Sequence, residues 1–168
     1  VGGDGAVGVG GGSNFLVVRD MASGAERRLP ATIPNVQTLA WYPDNRHVLA
    51  ICNSGDWTSK PTFRLDTVTG SIHAMPNVID QNAWWTPAIL NDGKSLVLTT
   101  RDPNGDMGNS GIIQALNLQT GAQRVLFRPR TGAELLGSFA ISGDRSTIVY
   151  GEHNFQMQSC AWLISSIS

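Results

Sequence analysis

The sequence predicts an all-β chain built from four-stranded antiparallel units. Three observations carry this: a Ser-Gly or Thr-Gly turn that recurs between short alternating strands, a second polar turn interleaved with the first, and the lack of any sustained 3.6-residue periodicity. Among 168 residues there are 19 Gly and 8 Pro, spaced so that no long helix fits between them. Glycine raises the entropy cost of strand interiors, so a chain this rich in it is expected to place it in tight turns.

The first turn closes segments 16–30, 63–76 and 113–127, each an alternating strand, a turn and a second short strand. Gly24, Gly70 and Gly121 sit where a hairpin turn needs positive φ, at intervals of 46 and 51 residues. The second turn lies within 39–51, 88–98 and 139–149, as Pro43-Asp44-Asn45, Asn91-Asp92-Gly93 and Gly143-Asp144-Arg145. Pro sets φ, Asp caps the backbone, and Asn or Gly accepts the left-handed conformation. A weaker copy at Gly3-Asp4-Gly5 precedes the strand at 6–9, so the turn aspartates Asp4, Asp44, Asp92 and Asp144 fall 40, 48 and 52 residues apart.

Joined, the two modules give strand a, a Pro-Asp-Gly-like turn, strand b, a variable loop, strand c, a Thr-Gly turn and strand d. Periods of ~40–50 residues with four short strands each mark β-propeller blades. The chain holds fourteen expected strands, or about three and a half blades in one segment, with approximate blades 1–30, 31–76, 77–127 and 128–168. Propellers hide their sheet edges by closing ~4–8 blades. The chain, which opens on Val1 rather than Met, is therefore expected to be part of a larger propeller or a protomer that closes by association with a second copy.

Trp41-Tyr42-Pro43-Asp44-Asn45 ahead of an apolar strand, and Asp66-Thr67-Val68-Thr69-Gly70 after one, resemble the TolB-type, WD-like propeller repeat, whose pattern is roughly W-S-P-D-G and then D-x-x-T-G. The resemblance covers nearly the whole chain. It departs where Asn91 and Gly143 replace Pro, and where Asn45 and Arg145 replace the turn Gly. It implies a non-catalytic module of a bacterial protein, periplasmic or secreted, that binds a protein or peptide. The alternative is the propeller portion of an enzyme: a gating domain of a prolyl-oligopeptidase-like hydrolase, or a scaffold with a loop-borne hydrolase or lyase site. Fold alone does not choose between them.

Recognition is expected on the loops a rigid scaffold holds out. The a–b and c–d turns are short and stereotyped, whereas the b–c loops near 53–61, 101–111 and 152–159 vary and are polar or aromatic. This makes Asp56, Trp57 and Lys60, Arg101, and Glu152, His153 and Asn154 the binding candidates, with Trp84 and Trp85 from the d–a side. One Trp of that adjacent pair is expected in the core, because successive strand residues face opposite ways. Asp102, Asn104 and Asp106 place oxygen side chains at positions 1, 3 and 5 of a loop, as in calcium sites. The match is partial, with Met107 at position 6 and Ile113 at position 12.

Other chemistries find little support. Gly3-Asp4-Gly5-Ala6-Val7-Gly8 fits G-x-G-x-x-G, but no strand precedes it and no helix start follows, so a glycine-rich blade edge explains it. There is no G-x-S-x-G and no H-E-x-x-H, and with three Glu in the chain nothing fixes a pair of carboxylates at glycosidase spacing. His47, His73 and His153 sit at unrelated module positions, the first two expected on the solvent side. Cys52 and Cys160 lack metal-ligand spacing and read as buried, unpaired thiols. A net charge of -1, with ten Arg and two Lys scattered, gives no footprint for nucleic acid, and no apolar run is long enough to insert in a membrane as a helix.

Overall fold

The computed structural model describes residues 13–53, 60–76, 79, 83–102, 111–129, 133–154 and 159–166, with the strands at 83–86 and 159–166 described by their backbone. The chain divides into two compact units, Val1–Gln81 and Asn82–Ser168. In the first, β1 (Ser13–Arg19) pairs with β2 (Glu26–Pro34), and β3 (Val36–Trp41), β4 (His47–Cys52), β5 (Thr62–Asp66) and β6 (Ile72–Ala74) form a four-stranded meander. In the second, β7 (Ala83–Ile89), β8 (Ser95–Arg101), β9 (Gly111–Asn117) and β10 (Gln123–Phe127) form another. It is followed by the three-stranded sheet of β11 (Ala133–Ile141), β12 (Thr147–Asn154) and β13 (Ser159–Ser166).

Every pairing is antiparallel and follows chain order, and no helix occurs among the described residues. These sheets are propeller blades. Thirteen of the fourteen expected strands are present, and the other, at 6–9, lies outside the described residues. Each a strand is irregular near its start: the register shifts between Val36 and Thr38, between Trp84 and Ala88, and between Leu135 and Phe139. Pro87, which has no N–H to donate, falls inside the second of these shifts.

The inner strands of the two four-stranded sheets are buried without alternation. Residues 48–52 of β4, 96–100 of β8 and 111–116 of β9 are buried at consecutive positions, whereas β6 and β10 at the edge are largely exposed. A strand covered on both faces must be apolar without interruption, which is why Val48-Leu49-Ala50-Ile51-Cys52 shows no period of two. Within the first unit, Leu29 and Ile33 of β2 pack on Ala50, Cys52 and Leu65. In the second, Val97 and Ile113 pack on Phe139, Ile148 and Tyr150, and the Phe127 and Tyr150 rings lie 4.0 Å apart. Cys52 is a free, buried thiol that burial pushes up to about 11, so it is a core residue and not a nucleophile.

The two repeated turns use one device each. In the c–d turn the first side chain caps its own loop: Asp20 Oδ1 accepts from the N–H groups of Ala22 and Ser23, Asp66 Oδ1 from Val68 and Thr69, and Asn117 Oδ1 from Gln119 and Thr120. The N–H of Gly24, Gly70 or Gly121 then donates to the carbonyl of that first residue at 2.8 Å, with φ between 73 and 77. The Ser or Thr before the glycine accepts from the N–H after it, which explains the second conserved-looking letter of the repeat. In the a–b turn Asp44, Asp92 and Asp144 cap in the same way, and the next residue is left-handed whatever its type: Asn45 at 53, Gly93 at 63 and Arg145 at 59.

Sheets within a unit are latched at this turn end. Arg27 of β2 donates to the carbonyls of Thr67 and Val68, and Gly70 lies against the Pro30 ring. In the second unit Asn91 donates to the Asp144 carbonyl at 2.6 Å and Arg145 to that of Ile89. The strain of a left-handed arginine is thus offset by a bond that glycine could not make.

The caps also set the acid stability. Burial pushes Asp44 up, but the N–H groups of His47 and Arg46 and the His47 side chain outweigh it and bring it down to about 2. Hydrogen bonds from Ser142 and Ser146 hold Asp144 at about 2. Folded values below the ordinary carboxylate value of ~3.9 mean stability that is present above pH ~4 and lost as pH falls toward 2. Asn117 supplies the same cap without a charge. The expected result is a melting temperature that drops between pH 4 and 2, and an Asp44→Asn/Asp144→Asn variant whose curve is flatter there. Equal slopes for both proteins would refute the assignment.

Candidate functional site

Because each sheet is a simple meander, its b–c and d–a connections leave from the end opposite the latched turns. In the second unit this end collects the close of β8, the approach to β7, the segment after β10 and the close of β12. Arg101 ends β8 and is exposed. The next residue, Asp102, is buried, and Arg128 reaches it from beyond β10 with Nε on Oδ2 at 2.6 Å and Nη2 on Oδ1 at 3.3 Å. The pair spans β9 and ties the strands on either side of it. The Asp102 side chain is 4% exposed and that of Arg128 is 51%, so a buried carboxylate holds a cation that still presents a face to solvent.

Glu152 and His153 lie in β12, not in a loop. Ile148, Tyr150 and Glu152 alternate along the strand and all three are buried, so Glu152 shares the core-facing side, opposite Leu135 and Ala161. His153 points the other way and is half-buried. Asn154 pairs with Ala133 and Ser159 at the strand end. Trp84 pairs with Thr99 in β7 and Trp85 follows in the irregular stretch, both placed by backbone only. Lys60 lies in the first unit, where its N–H donates to the Ile79 carbonyl at 3.4 Å. Asp56, Trp57, Asn104 and Asp106 lie outside the described residues.

Asp102 was expected at position 1 of a calcium loop. Both of its carboxylate oxygens are engaged by Arg128, so a cation there would compete with the guanidinium. No cluster of three or more His, Cys, Asp or Glu with metal-binding geometry occurs among the described residues. No helix among them is long and apolar enough to cross a membrane.

A polar cluster that no sequence motif marks stands at the a–b turn of the β3–β6 sheet. His47, expected on the solvent side, is half-buried at 21% exposure, with its Nδ1 2.6 Å from Asp44 Oδ2. Arg64 of β5 sits over the Tyr42 ring, 5.0 Å from its centroid, with Nη2 3.2 Å from the same His47 nitrogen. Arg46 clamps Asp66 through Nε and Nη2 at 3.1 and 2.5 Å, holding that carboxyl well below the usual range. A signal existed: His47 occupies the third position after the turn aspartate, where Ser95 stands in the next blade and donates to Asp92.

The fold and these ends define the class: blades of a β-propeller. Structures similar to the chain include TolB from Acinetobacter baumannii (TM-score 0.56, 15% identity, 88% of this chain and 37% of that one). They also include an oligogalacturonate lyase from Vibrio parahaemolyticus (0.57, 12%, 92% and 44%) and the β-propeller domain of the Trilobed protease from Pyrococcus furiosus (0.52, 14%, 93% and 47%). The chain spans less than half the length of each. No family model and no curated protein matches the sequence.

Proposed function

We propose that the chain is a non-catalytic propeller module that binds a protein or peptide at the loop ends of its blades. The observation that carries the reading is the contrast between the two ends of each sheet. At the turn end the Asp and Asn side chains are spent on their own backbone N–H groups. At the loop end, longer connections accompany exposed Arg101 and the half-exposed Arg128 guanidinium, groups suited to peptide carbonyls and carboxylates. The likeness to TolB supports the same reading. Panning a random-peptide phage library on the immobilised chain tests it. Enriched peptides are expected to lose at least about tenfold in affinity for an Arg101→Ala variant, while Arg19→Ala at the turn end leaves binding unchanged. Failure to enrich any peptide, or equal binding to the loop variant, would sink the proposal.

A second reading, the propeller portion of a hydrolase or lyase, is favoured by one observation: Glu152 is a buried carboxylate, 7% exposed, near the loop end of β12. Oligogalacturonate is the first probe, given the lyase among the similar structures. Absence of unsaturated product after prolonged incubation removes the lyase form of this reading.

A further inference from the structure

We infer that Tyr42, His47 and Arg64 form an oxyanion-binding site at the turn end of the β3–β6 blade, away from the loops proposed to hold peptide. The Asp44–His47 contact of 2.6 Å requires a proton on His47 Nδ1, because carboxylate and imidazole lone pairs would repel at that distance. The same nitrogen therefore cannot accept from Arg64 Nη2, although it lies only 3.2 Å away. Asp44 Oδ2 lies 3.8 Å from Arg64 Nη2, close enough for an ion pair but beyond hydrogen-bond reach. Arg64 Nε is buried without a partner, and so is the hydroxyl of Tyr42, a residue 4% exposed. Arg64 Nε and the Tyr42 hydroxyl thus both lack a hydrogen-bond partner, while the N–H of His47 beside them is already given to Asp44.

The repeat supplies an internal comparison. At the position of Tyr42 the other blades carry Leu90 and Ser142, at that of His47 they carry Ser95 and Thr147, and opposite the equivalent of Leu49 stands Ala115 in place of Arg64. No blade-building role needs the polar set, since two blades form the same turn without it. His73, paired with Arg64 across β5 and β6, adds a second imidazole to the same face and is exposed. The missing partner is an anion with several acceptor oxygens, a phosphate or a carboxylate, which guanidinium recognises through paired hydrogen bonds.

Titrating the chain with inorganic phosphate and, separately, with acetate at constant ionic strength tests the site, with the His47 and His73 imidazole nitrogens followed by NMR and chloride as the control. The expected result is a saturable shift at His47 with one or both oxyanions and none with chloride. Affinity should fall at least about tenfold in Arg64→Gln and less in Tyr42→Phe, with the amide spectrum of the rest of the chain preserved. Saturation by phosphate alone identifies a phosphate site, and by acetate as well a carboxylate-tolerant one. A response shared by chloride, a shift confined to His73, or unchanged affinity in both Arg64→Gln and Arg64→Lys would overturn the inference. A silent titration would mean that ordered water fills the site, and would overturn it too.

Discussion

Replacing Gly70 with alanine is expected to destabilise the first unit by ~2–4 kcal/mol, read as a lowered urea midpoint with unchanged slope. Two effects add. Gly70 has φ 77, where any Cβ meets the following carbonyl at a cost of about 1–2 kcal/mol. A Cβ there would also stand 2.7 Å from Pro30 Cδ and 2.8 Å from Cγ, a clash with a rigid ring at the contact between two sheets. Gly93 separates the terms, since it shares the left-handed backbone, at φ 63, with open space around the added carbon. Gly93→Ala should therefore lose only ~1 kcal/mol, and Gly70→Ala/Pro30→Ala should recover the steric part but not the conformational part. Equal losses for the two glycines would show that the Pro30 contact yields freely.

That contact shows where the sequence was legible and where it was not. The spacing of Gly24, Gly70 and Gly121 with their Asp or Asn four residues earlier encodes the hairpin locally, so strand order and blade type could be read from it. The register of Gly70 against Pro30 depends on how two sheets lie together, which no local pattern records. The same division applies to the candidate residues. Arg101 was read as the first residue of a loop, whereas it closes β8. Glu152 was read as a loop residue because Glu-His-Asn is polar, yet it continues β12, where Tyr150 and Ile148 on the same side set its burial. Arg128 lay outside every motif. Its role comes from the ladder that brings β8 and β10 to either side of β9, a relation visible only once the strands are paired. His47 was expected on the solvent side without a partner in view, whereas it meets the turn aspartate three residues away, already assigned to a cap.

The Asp102–Arg128 pair yields the second large effect, and its asymmetry is the informative part. Removing the cation with Arg128→Met leaves a carboxylate that is almost fully buried, and is expected to cost ~2–4 kcal/mol, reduced from the fully buried case because Arg128 is half-exposed. Removing the charge with Asp102→Asn leaves an arginine that can turn to solvent, at ~1–2 kcal/mol. The double variant should lose less than the sum of the two by about 1 kcal/mol or more; additivity to within ~0.5 kcal/mol would refute direct coupling. The pH dependence gives an independent sign. In Arg128→Met the buried Asp102 carboxyl binds a proton more readily folded than unfolded, so its penalty is present at neutral pH and shrinks as pH falls toward 4. The turn carboxylates behave in the opposite sense and lower stability as pH falls below 4. A variant whose deficit is constant from pH 7 to 4 would mean that other donors near Asp102 replace the guanidinium, and that the loop end of the β7–β10 blade does not depend on this clamp for its shape.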